Sequence, residues 1–513
     1  MSYIVTQADL NLLKQGEQNI YIKVELLSSN FKVLDIITGN VIDDTYSVDS
    51  ESMQRRSYKV TLVVTDSTFQ IGKDKKIWLD KRLRVSYGIY SLREKKIIWY
   101  QLGIFVYSSV NYSYSASDRT LSLTCPDLMA LYDGTLGGEL NGELGGYGSS
   151  HMGDDTQNIT AHGLLIPAGE DMRKSIIATL KNANIENYVV EEMNKEIPYD
   201  LEFDTGVTFS QVWEKIRDLY DSWEFFFDID GTFIWRKIPT CLDDPVVLDN
   251  TIMQSIVSES ETVDVDFTNV YNVTEVWGKV LELSNSDRYA DTSTYTDNVY
   301  NISLENITKW SDIDNLTQIG IKVCSDNLVS PKFSVNNYDP IPIYDGDQKE
   351  LKAGVLKADT IYVFRYRRLN AIDAETLEAG LFLLGQYQCH GLYKETSKEC
   401  PFSIPNLGYE VKKSVDYSNL SDDAACFNQA EYLTYTTTAM MDTVNLTTLV
   451  IPWLDVNMKI EYKPHNLGKD DPANQYIVKS FSWSVGNGTM SLVLYKFLED
   501  FSFVWKRKYN NTR

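Results

Sequence analysis

The stretch that most constrains the fold runs from Phe31 to Met129 and reads as β-strand almost throughout. Short runs rich in Val, Ile, Tyr and Thr follow one another, and each ends in a cluster of Gly, Asn, Asp or Ser. Antiparallel barrels and sandwiches have this pattern of short strands and turn residues. Polar and apolar residues alternate over 57–62, so this strand is predicted to bury one face and expose the other.

Several segments of this stretch occur in a distinctive order. They are the turn at Gly39 with the polar segment up to Arg55-Arg56, the strand Leu83 to Tyr87, the run WYQLGIF at 99–105 and the run LSLTCPDLM at 121–129. In this order they resemble the first domain of phage tail hub proteins. Later parts of the chain are also similar to that family, namely the helix and hairpin after Thr208 and the closing strands up to Phe497.

The resemblance implies a structural component of a virion and not an enzyme. Hub proteins form a homotrimer at the tip, or baseplate, of a phage tail, where two barrels per chain give six similar units facing the hexameric tail tube. The implied partners are the tail tube or distal tail protein on one side and a spike, fibre or tape-measure protein on the other. DNA would pass through the channel during host cell entry, and the tail would be assembled in the bacterial cytoplasm.

The predicted fold class is mainly β with a minority of helix, in several domains, because 513 residues exceed what one core usually holds. Two tube-like antiparallel β-barrels with smaller inserted domains are expected. The predicted domains are 1–132, a first barrel with a short helix; 133–261, a Gly-rich loop and an α+β insertion; 262–282 with 434–500, a second barrel; 283–433, an irregular β-rich insertion ending in a helix; and 501–513, a tail.

Local signals predict the individual elements of these domains. Thr6 and Thr208 are N-cap residues for amphipathic helices, and Asp230-Gly231 is the turn pair of a tight hairpin, since Gly adopts positive φ without steric cost. Further helices are predicted at 169–182 and 421–433, one strand at 263–281, an irregular block at 282–416, and closing strands at 443–451, 457–462, 476–485 and 489–497 with a turn at Asn487-Gly488.

The formal net charge of −24 argues against a usual nucleic-acid-binding protein, because Lys and Arg drive phosphate binding. The charge also has the wrong sign for an anionic membrane surface. For a hub, carboxylates on the channel wall would repel DNA and keep transit free, which is a hypothesis about residues that the sequence does not single out.

Six cysteines are scattered without CxxC pairs: Cys125, Cys241, Cys324, Cys389, Cys400 and Cys426. They are predicted to be free thiols in a reducing cytoplasm, and neither a zinc ribbon nor a disulfide framework is indicated. The first residues show no signal-peptide pattern and no run is long enough to span a membrane, so a soluble protein is expected.

No catalytic, cofactor-binding or metal-binding residue is predicted. His151, His162, His390 and His465 lack metal-ligand spacing, and the Cys389-His390 pair with Cys400 lacks a nucleophile and base on separate elements. Asp228 and Asp230 fit a turn better than a calcium loop. The eight glycines of 134–155 lack the Lys-Ser or Lys-Thr of a phosphate loop, so a long flexible loop is expected.

A second class of function stays open from the sequence. A carbohydrate-active or receptor-binding β protein of a phage tail would use exposed aromatic residues as a stacking platform, and Trp310, Tyr295 and Tyr300 are the candidates. The two hypotheses differ in solution mass, because a hub is expected to form trimers and a glycosidase of this length could be a monomer.

Overall fold

The computed structural model describes residues 3–15, 18–37, 41–64, 70–115, 119–140, 164–199, 201–204, 206–220, 223–264, 268–280, 289–303, 312–313, 318–345, 349–370, 378–386, 388–398, 400–438, 443–484 and 488–496. The chain divides into two compact units. The first contains Met1–Asn272, Lys394–Val411 and Tyr432–Thr512, and the second contains Val273–Tyr393, Lys412–Glu431 and Arg513. The predicted class is confirmed, since the protein is mostly β, with 46% of the described residues in strands.

The described part of the first quarter of the chain forms one helix and eight strands before a 3-10 turn at Leu128–Leu131. These elements are α1 (Gln7–Leu13), β1 (Ile20–Ser28), β2 (Val33–Ile37), β3 (Val41–Asp49), β4 (Arg56–Val63), β5 (Lys81–Ser91), β6 (Lys96–Phe105), β7 (Ser109–Tyr114) and β8 (Arg119–Pro126). Thr6 caps α1 as predicted, because its hydroxyl accepts a hydrogen bond from Asp9 N while the Asp9 carboxylate accepts one from Thr6 N.

The next part of the first unit mixes helices with short strands. They are β9 (Leu164–Ile166), α2 (Met172–Asn182), β10 (Tyr188–Val190), β11 (Leu201–Phe203), α3 (Phe209–Arg217), β12 (Trp223–Phe227), β13 (Phe233–Lys237), β14 (Val246–Leu248), α4 (Asn250–Ile256) and β15 (Val257–Asp264). The β12–β13 hairpin turns at Asp230-Gly231 as predicted, with Gly231 at φ +84°. Thr208 caps α3 through Gln211, and Trp213 on α3 donates to the Thr179 hydroxyl of α2 at 2.9 Å.

The remaining elements follow in chain order. They are β16 (Val273–Val280), β17 (Tyr289–Thr296), β18 (Val299–Ile302), β19 (Gln318–Val323), β20 (Lys332–Val335), β21 (Ile341–Tyr344), β22 (Thr360–Asn370), β23 (Glu378–Gln386), β24 (Gln388–Lys394), α5 (Ile404–Leu407), β25 (Lys412–Asp416), α6 (Asp423–Thr438), β26 (Thr443–Leu449), β27 (Lys459–Tyr462), β28 (Asn474–Trp483) and β29 (Thr489–Lys496).

Two sheets of the first unit enclose its main core. One has the order β2-β1-β5-β6, and the other runs β15-β26-β29-β28-β3-β4-β8-β7, with β27 and β14 branching from β28. A single cluster of buried side chains joins residues of α1, α4 and strands from both ends of the chain, for example Tyr58, Tyr87 and Trp483. The two predicted barrels are therefore parts of one continuous β structure with a shared core.

The second unit contains a closed barrel with the order β17-β18-β20-β21-β23-β22-β19. Its interior is filled by aromatic and aliphatic side chains such as Tyr300, Phe333 and Phe364, all fully buried. This region was predicted to be β-rich but irregular, and its strands instead form a regular closed barrel. The many Ser, Asp and Thr residues gave no clear alternation from which strands could be predicted. The barrel is defined instead by the pairing of segments that are distant in the chain.

The predicted strand 263–281 is two strands in two different sheets. β15 pairs with β26, whereas β16 lies between β24 and β25 in a three-stranded sheet. Asn272 explains the change of direction, because its buried side-chain amide donates to the carbonyls of Phe402 and Tyr409 at 3.1 Å each. The apolar pattern after Thr208 predicts a helix that continues through Leu219 and Tyr220, but α3 ends at Arg217.

Helix α6 packs against β24 with almost no space between the backbones. A methyl group at Gly391 would lie 2.2 Å from Phe427 N and 2.3 Å from the Cys426 carbonyl carbon. We expect Gly391→Ala to lower the free energy of unfolding by about 2–3 kcal/mol, because backbone atoms cannot yield as a flexible side chain can. Urea unfolding measures this, with Leu392→Ala at the exposed neighbouring position as the control. Equal stability of Gly391→Ala and the wild type would contradict this packing.

Candidate functional site: the assembly sheet

The eight strands from β15 to β7, called the assembly sheet below, contain a repeated arrangement. The first run is β3-β4-β8-β7 and the second is β15-β26-β29-β28. In both runs the strands that come first, second, third and fourth in the chain lie in the spatial order first, second, fourth, third. All neighbouring strands within each run are antiparallel. Each end of the chain therefore supplies one copy of the same four-stranded unit.

The two runs are joined by β28 of the second run and β3 of the first. These strands pair antiparallel, with Trp483 opposite Tyr46 and Ser480 opposite Asp49. The rings of Tyr46 and Trp483 are 5.3 Å apart at their centroids, and Ser50 N donates to Lys479 O at 3.1 Å. Buried aromatic pairs stabilise the pairing of neighbouring strands, so the contact between β28 and β3 belongs to the core.

The other face of the assembly sheet carries mainly hydroxyl groups. Successive strands place Ser57, Ser47, Ser482, Ser491 and Thr447 opposite one another, so that a row of hydroxyls crosses both runs. The hydroxyl oxygens of Ser47 and Ser57 are 2.7 Å apart. Two further hydroxyl pairs lie on this face, Thr61 with Ser122 at 3.1 Å and Ser260 with Thr447 at 2.9 Å. We call this surface the hydroxyl face.

Charged side chains are few on the hydroxyl face. By strand alternation it includes the carboxylates Asp43, Asp49 and Asp264 and the amine of Lys59. The Lys479 amine lies on the same face, 4.5 Å from the centre of the Tyr495 ring. The strong negative charge of the chain is therefore not concentrated on this surface. The opposite face of the assembly sheet is buried in the core, so the hydroxyl face is the side that solvent or a passing molecule could reach.

The two outer strands of the assembly sheet have a free edge. In the described part of the chain, β7 pairs with β8 and β15 with β26, and neither has a second neighbour. Tyr112 and Tyr114 of β7 are 48% and 66% exposed. On β15, burial alone would raise the pKa of Glu261, but hydrogen bonds from Tyr462 and His465 outweigh it and lower that pKa. An unpaired edge of this length is an aggregation liability unless another strand covers it.

The Arg55-Arg56 pair, part of the sequence resemblance, holds the first run to neighbouring segments of the first unit. Arg55 forms a buried ion pair with Glu224 at 2.5 Å, and Arg56 pairs with Asp455 at 2.7 Å. Arg56 also donates to the Phe227 carbonyl at 3.1 Å. The Asp127 carboxyl accepts hydrogen bonds from Arg56 N and Met129 N, which lower its pKa. Burial outweighs them and raises the pKa of Asp127 to about 6. These contacts are structural.

The histidines and cysteines tested as catalytic candidates have structural partners. His390 Nε2 lies 3.0 Å from Glu275, which also binds Lys412 at 2.8 Å, and His465 Nδ1 lies 2.9 Å from Glu261. Cys389 is buried and Cys400 is half-buried. His151 and His162 lie outside the described residues. Burial raises the pKa of the Cys426 thiol to about 12, which keeps it protonated.

The acidic turn candidates serve as turn residues. Asp228 accepts a hydrogen bond from Ile229 N at 2.8 Å, and Asp230 accepts one from Thr232 N at 3.0 Å. Among the described residues, no group of three or more Asp, Glu, His or Cys side chains is arranged to hold a metal ion. The Gly-rich loop is described only up to Leu140, so the prediction for 141–155 is not tested.

Three aromatic residues were candidates for the stacking platform of the alternative function, and the two that lie in the described part of the chain are buried or partly buried. Tyr300 is fully buried inside the barrel of the second unit, and Tyr295 stacks on it with ring centroids 4.2 Å apart. Their hydroxyls bond to neighbouring loops of the same barrel. Trp310 lies outside the described residues. Tyr300 is therefore a core residue, whereas Tyr295 is partly buried and packs one face of its ring against that core.

Two similar β units per chain were expected from the family resemblance, but the strand order that the two runs share was not predicted. The two runs share strand order but have little sequence in common, and the second is interrupted by more than 170 residues between β15 and β26. One signal was present: strands β3, β4, β8, β26, β28 and β29 all alternate Ser, Thr or Asn with apolar residues. None of the helices in the described part is long and apolar enough to cross a membrane.

A family model described as a domain of unknown function, DUF5048, matches residues 399–501. No curated protein matches the sequence. Among solved structures, the chain is similar to a tail protein from Neisseria meningitidis MC58, with 10% identity, a TM-score of 0.48 and coverage of 94% of this chain and 98% of the other.

It is also similar to the 43 kDa tail protein of prophage MuSo2 from Shewanella oneidensis, with 9% identity, a TM-score of 0.46 and coverage of 93% and 98%. A third is prophage tail protein gp18 from Listeria monocytogenes EGD-e, with 8% identity, a TM-score of 0.42 and coverage of 93% and 95%. These three structures are described as tail proteins, two of them from prophages, and the sequence resemblance implied the same kind of protein.

Proposed function

We propose that this protein is a structural hub at the tip of a phage tail, in which three copies close a ring around the DNA channel. The ring would join a hexameric tail tube, or a distal tail protein, to a spike, fibre or tape-measure protein. The proposal places the protein in the virion after assembly in the bacterial cytoplasm. The observation that carries it is the repeated four-stranded run and the way in which the two runs are joined.

Within the chain, the last strand of the second run, β28, pairs with the first strand of the first run, β3. The corresponding strands that remain free are β7, the last of the first run, and β15, the first of the second. If β7 of one copy pairs with β15 of the next, the internal join is repeated between copies. Such a head-to-tail contact closes into a ring when the rotation that relates neighbouring copies is a whole fraction of a full turn. Three copies then present six similar runs, which suits a sixfold tube.

The hydroxyl face would then line the channel, because the other face of the assembly sheet is covered by the core. A wall of hydroxyls with only a few charges binds DNA weakly, since no array of Lys and Arg neutralises the phosphates. The wall proposed here differs from the carboxylate-lined wall that was hypothesised from the net charge of the chain. Transit would depend on the lack of attachment points and not on strong electrostatic repulsion.

A cross-linking experiment tests the ring. We expect a Cys324→Ser chain that also carries Asn111→Cys on β7 and Thr262→Cys on β15 to give covalent dimers and then trimers with a short bismaleimide. The two edges would be adjacent only between copies. Denaturing electrophoresis and light scattering measure the products.

Each single-cysteine variant is the control and should remain monomeric under denaturing conditions. A product ladder that continues beyond the trimer would indicate an open filament, and monomers alone would show that these edges do not meet. Either result contradicts the proposed hub.

A further inference from the structure

A basic loop stands out on this acidic chain. Residues 71–82, called the basic loop, contain five Lys or Arg residues and two Asp residues, whereas the whole chain has a net charge of −24. The side chains of Lys73 and Lys75 are exposed. The neighbouring Lys76 is already paired, since its amine lies 2.5 Å from the Asp35 carboxylate of β2. Among the described residues, Lys73 and Lys75 form no ion pair, so the loop lies beside β2 and presents positive charge to solvent.

The basic loop is ordered by its own hydrogen bonds. Gly72 N donates to Ile77 O at 3.1 Å, Lys75 N to Gly72 O at 3.0 Å and Lys81 N to Trp78 O at 3.0 Å. The Arg82 guanidinium donates to Leu79 O at 2.8 Å. Ile77 is buried and belongs to the main core of the first unit, so it anchors the loop. Binding to such a preformed surface costs little conformational entropy.

Apolar side chains are exposed on the basic loop and on β2. Trp78 is 40% exposed and Leu79 62% exposed, although single exposed apolar residues would need no explanation. On β2, Val33, Leu34 and Ile36 are each about half exposed. Because Lys76 and Asp35 connect the loop to the strand, these residues form one region in which apolar and positively charged groups alternate.

Strand β2 has a free edge. In the described part of the chain it pairs with β1 and with no other strand, at the end of the order β2-β1-β5-β6. It carries no Lys or Pro that would discourage pairing with another strand, and the charge of its Asp35 is balanced by Lys76. An extended segment could therefore hydrogen-bond to its unpaired N–H and C=O groups, which is how strand addition gives affinity.

We propose that β2 and the basic loop form a docking surface for an acidic, extended segment of another protein, bound by strand addition along β2. The carboxylates of that segment would meet Lys73 and Lys75, and its apolar side chains would contact Trp78 and Leu79. A protein strand fits better than nucleic acid, because several exposed side chains are apolar and a strand can satisfy both the N–H and the C=O groups of the free edge, whereas phosphate oxygens only accept hydrogen bonds. This inference does not depend on the tail function.

The test uses the purified full chain and a fluorescent synthetic peptide of alternating glutamate and valine. We expect this peptide to bind and a matched peptide with lysine in place of glutamate not to bind. Lys73→Glu with Lys75→Glu should weaken binding at least about tenfold, and Trp78→Ser with Leu79→Ser by a similar factor. Hydrogen exchange should show new protection of the β2 amides when the peptide is bound.

Lys95→Glu with Lys469→Glu, a reversal of two exposed lysines elsewhere in the first unit, is the matched control and should leave binding unchanged. If this control weakens peptide binding equally, the loss of binding comes from the overall charge of the chain, and the proposal is overturned. Failure of the peptide to bind would overturn it as well. Binding of a double-stranded DNA fragment that is lost with Lys73→Glu and Lys75→Glu, without peptide binding, would assign the surface to nucleic acid instead.

Discussion

Replacement of Glu224 by glutamine is expected to lower the free energy of unfolding by about 3–5 kcal/mol, because it leaves a buried guanidinium without its counter-charge. Glu224 is fully buried and holds Arg55 at 2.5 Å and Arg236 at 2.8 Å. The Arg55 guanidinium also lies 3.6 Å from the centre of the Phe226 ring and is itself 2% exposed, so water cannot replace the lost carboxylate. Urea unfolding at neutral pH measures the effect.

Glu410→Gln is the matched control for this prediction. Glu410 pairs with Lys394 at 2.7 Å in the same unit, but both side chains are about half exposed, so the expected change is about 0.5 kcal/mol or less. A loss for Glu224→Gln no larger than that of the control would show that Arg55 finds another partner.

The same ion pair predicts a pH dependence. Burial alone would raise the pKa of Glu224, but Arg55 and Arg236 outweigh it and hold the pKa below its usual value of 4.5. A carboxyl whose pKa is lower in the folded state adds stability above its unfolded pKa and loses it as the pH falls through the folded value. The difference between the wild type and Glu224→Gln should therefore be constant above about pH 5 and shrink below pH 4.5.

Local chemistry made much of the secondary structure predictable. Thr6 and Thr208 were predicted as caps because a hydroxyl at that position satisfies a free N–H of the first turn, and both do so. The Asp230-Gly231 turn follows from the need for positive φ at Gly231. The closing strands β26, β27, β28 and β29 lie within two residues of the predicted limits. Each of these signals acts over a few neighbouring residues.

The assembly sheet could not be predicted in the same way. Its central pair, β28 and β3, joins residues more than 430 positions apart, and no local pattern specifies which distant strands become neighbours. The turn of the chain at Asn272 depends on two carbonyls that lie about 130 positions further along the chain. Likewise, Tyr300 looked like a surface aromatic in a polar segment, yet the barrel buries it.

A proline on strand β7 is expected to abolish assembly of the proposed ring while the single chain stays folded. Successive residues of a strand direct their N–H groups to opposite sides, so one of Asn111→Pro and Tyr112→Pro removes a donor from the free edge and the other removes one from the β8 ladder. The edge variant should be a folded monomer, because it loses the bond to the next copy and cannot accept a neighbouring strand. The ladder variant should be less stable as a chain.

The comparison between these two variants distinguishes the loss of a donor at the free edge of β7 from the loss of a donor to β8. Light scattering gives the mass, and thermal unfolding of each monomer separates loss of assembly from loss of folding. A matched substitution, Leu92→Pro in the exposed turn after β5, lies away from the assembly sheet and should leave the trimer intact. If the wild type is itself a monomer at every concentration and in the presence of a tail tube, the ring fails. A receptor-binding role for the same β structure would then be the better explanation, since it does not need the β7 and β15 edges to meet.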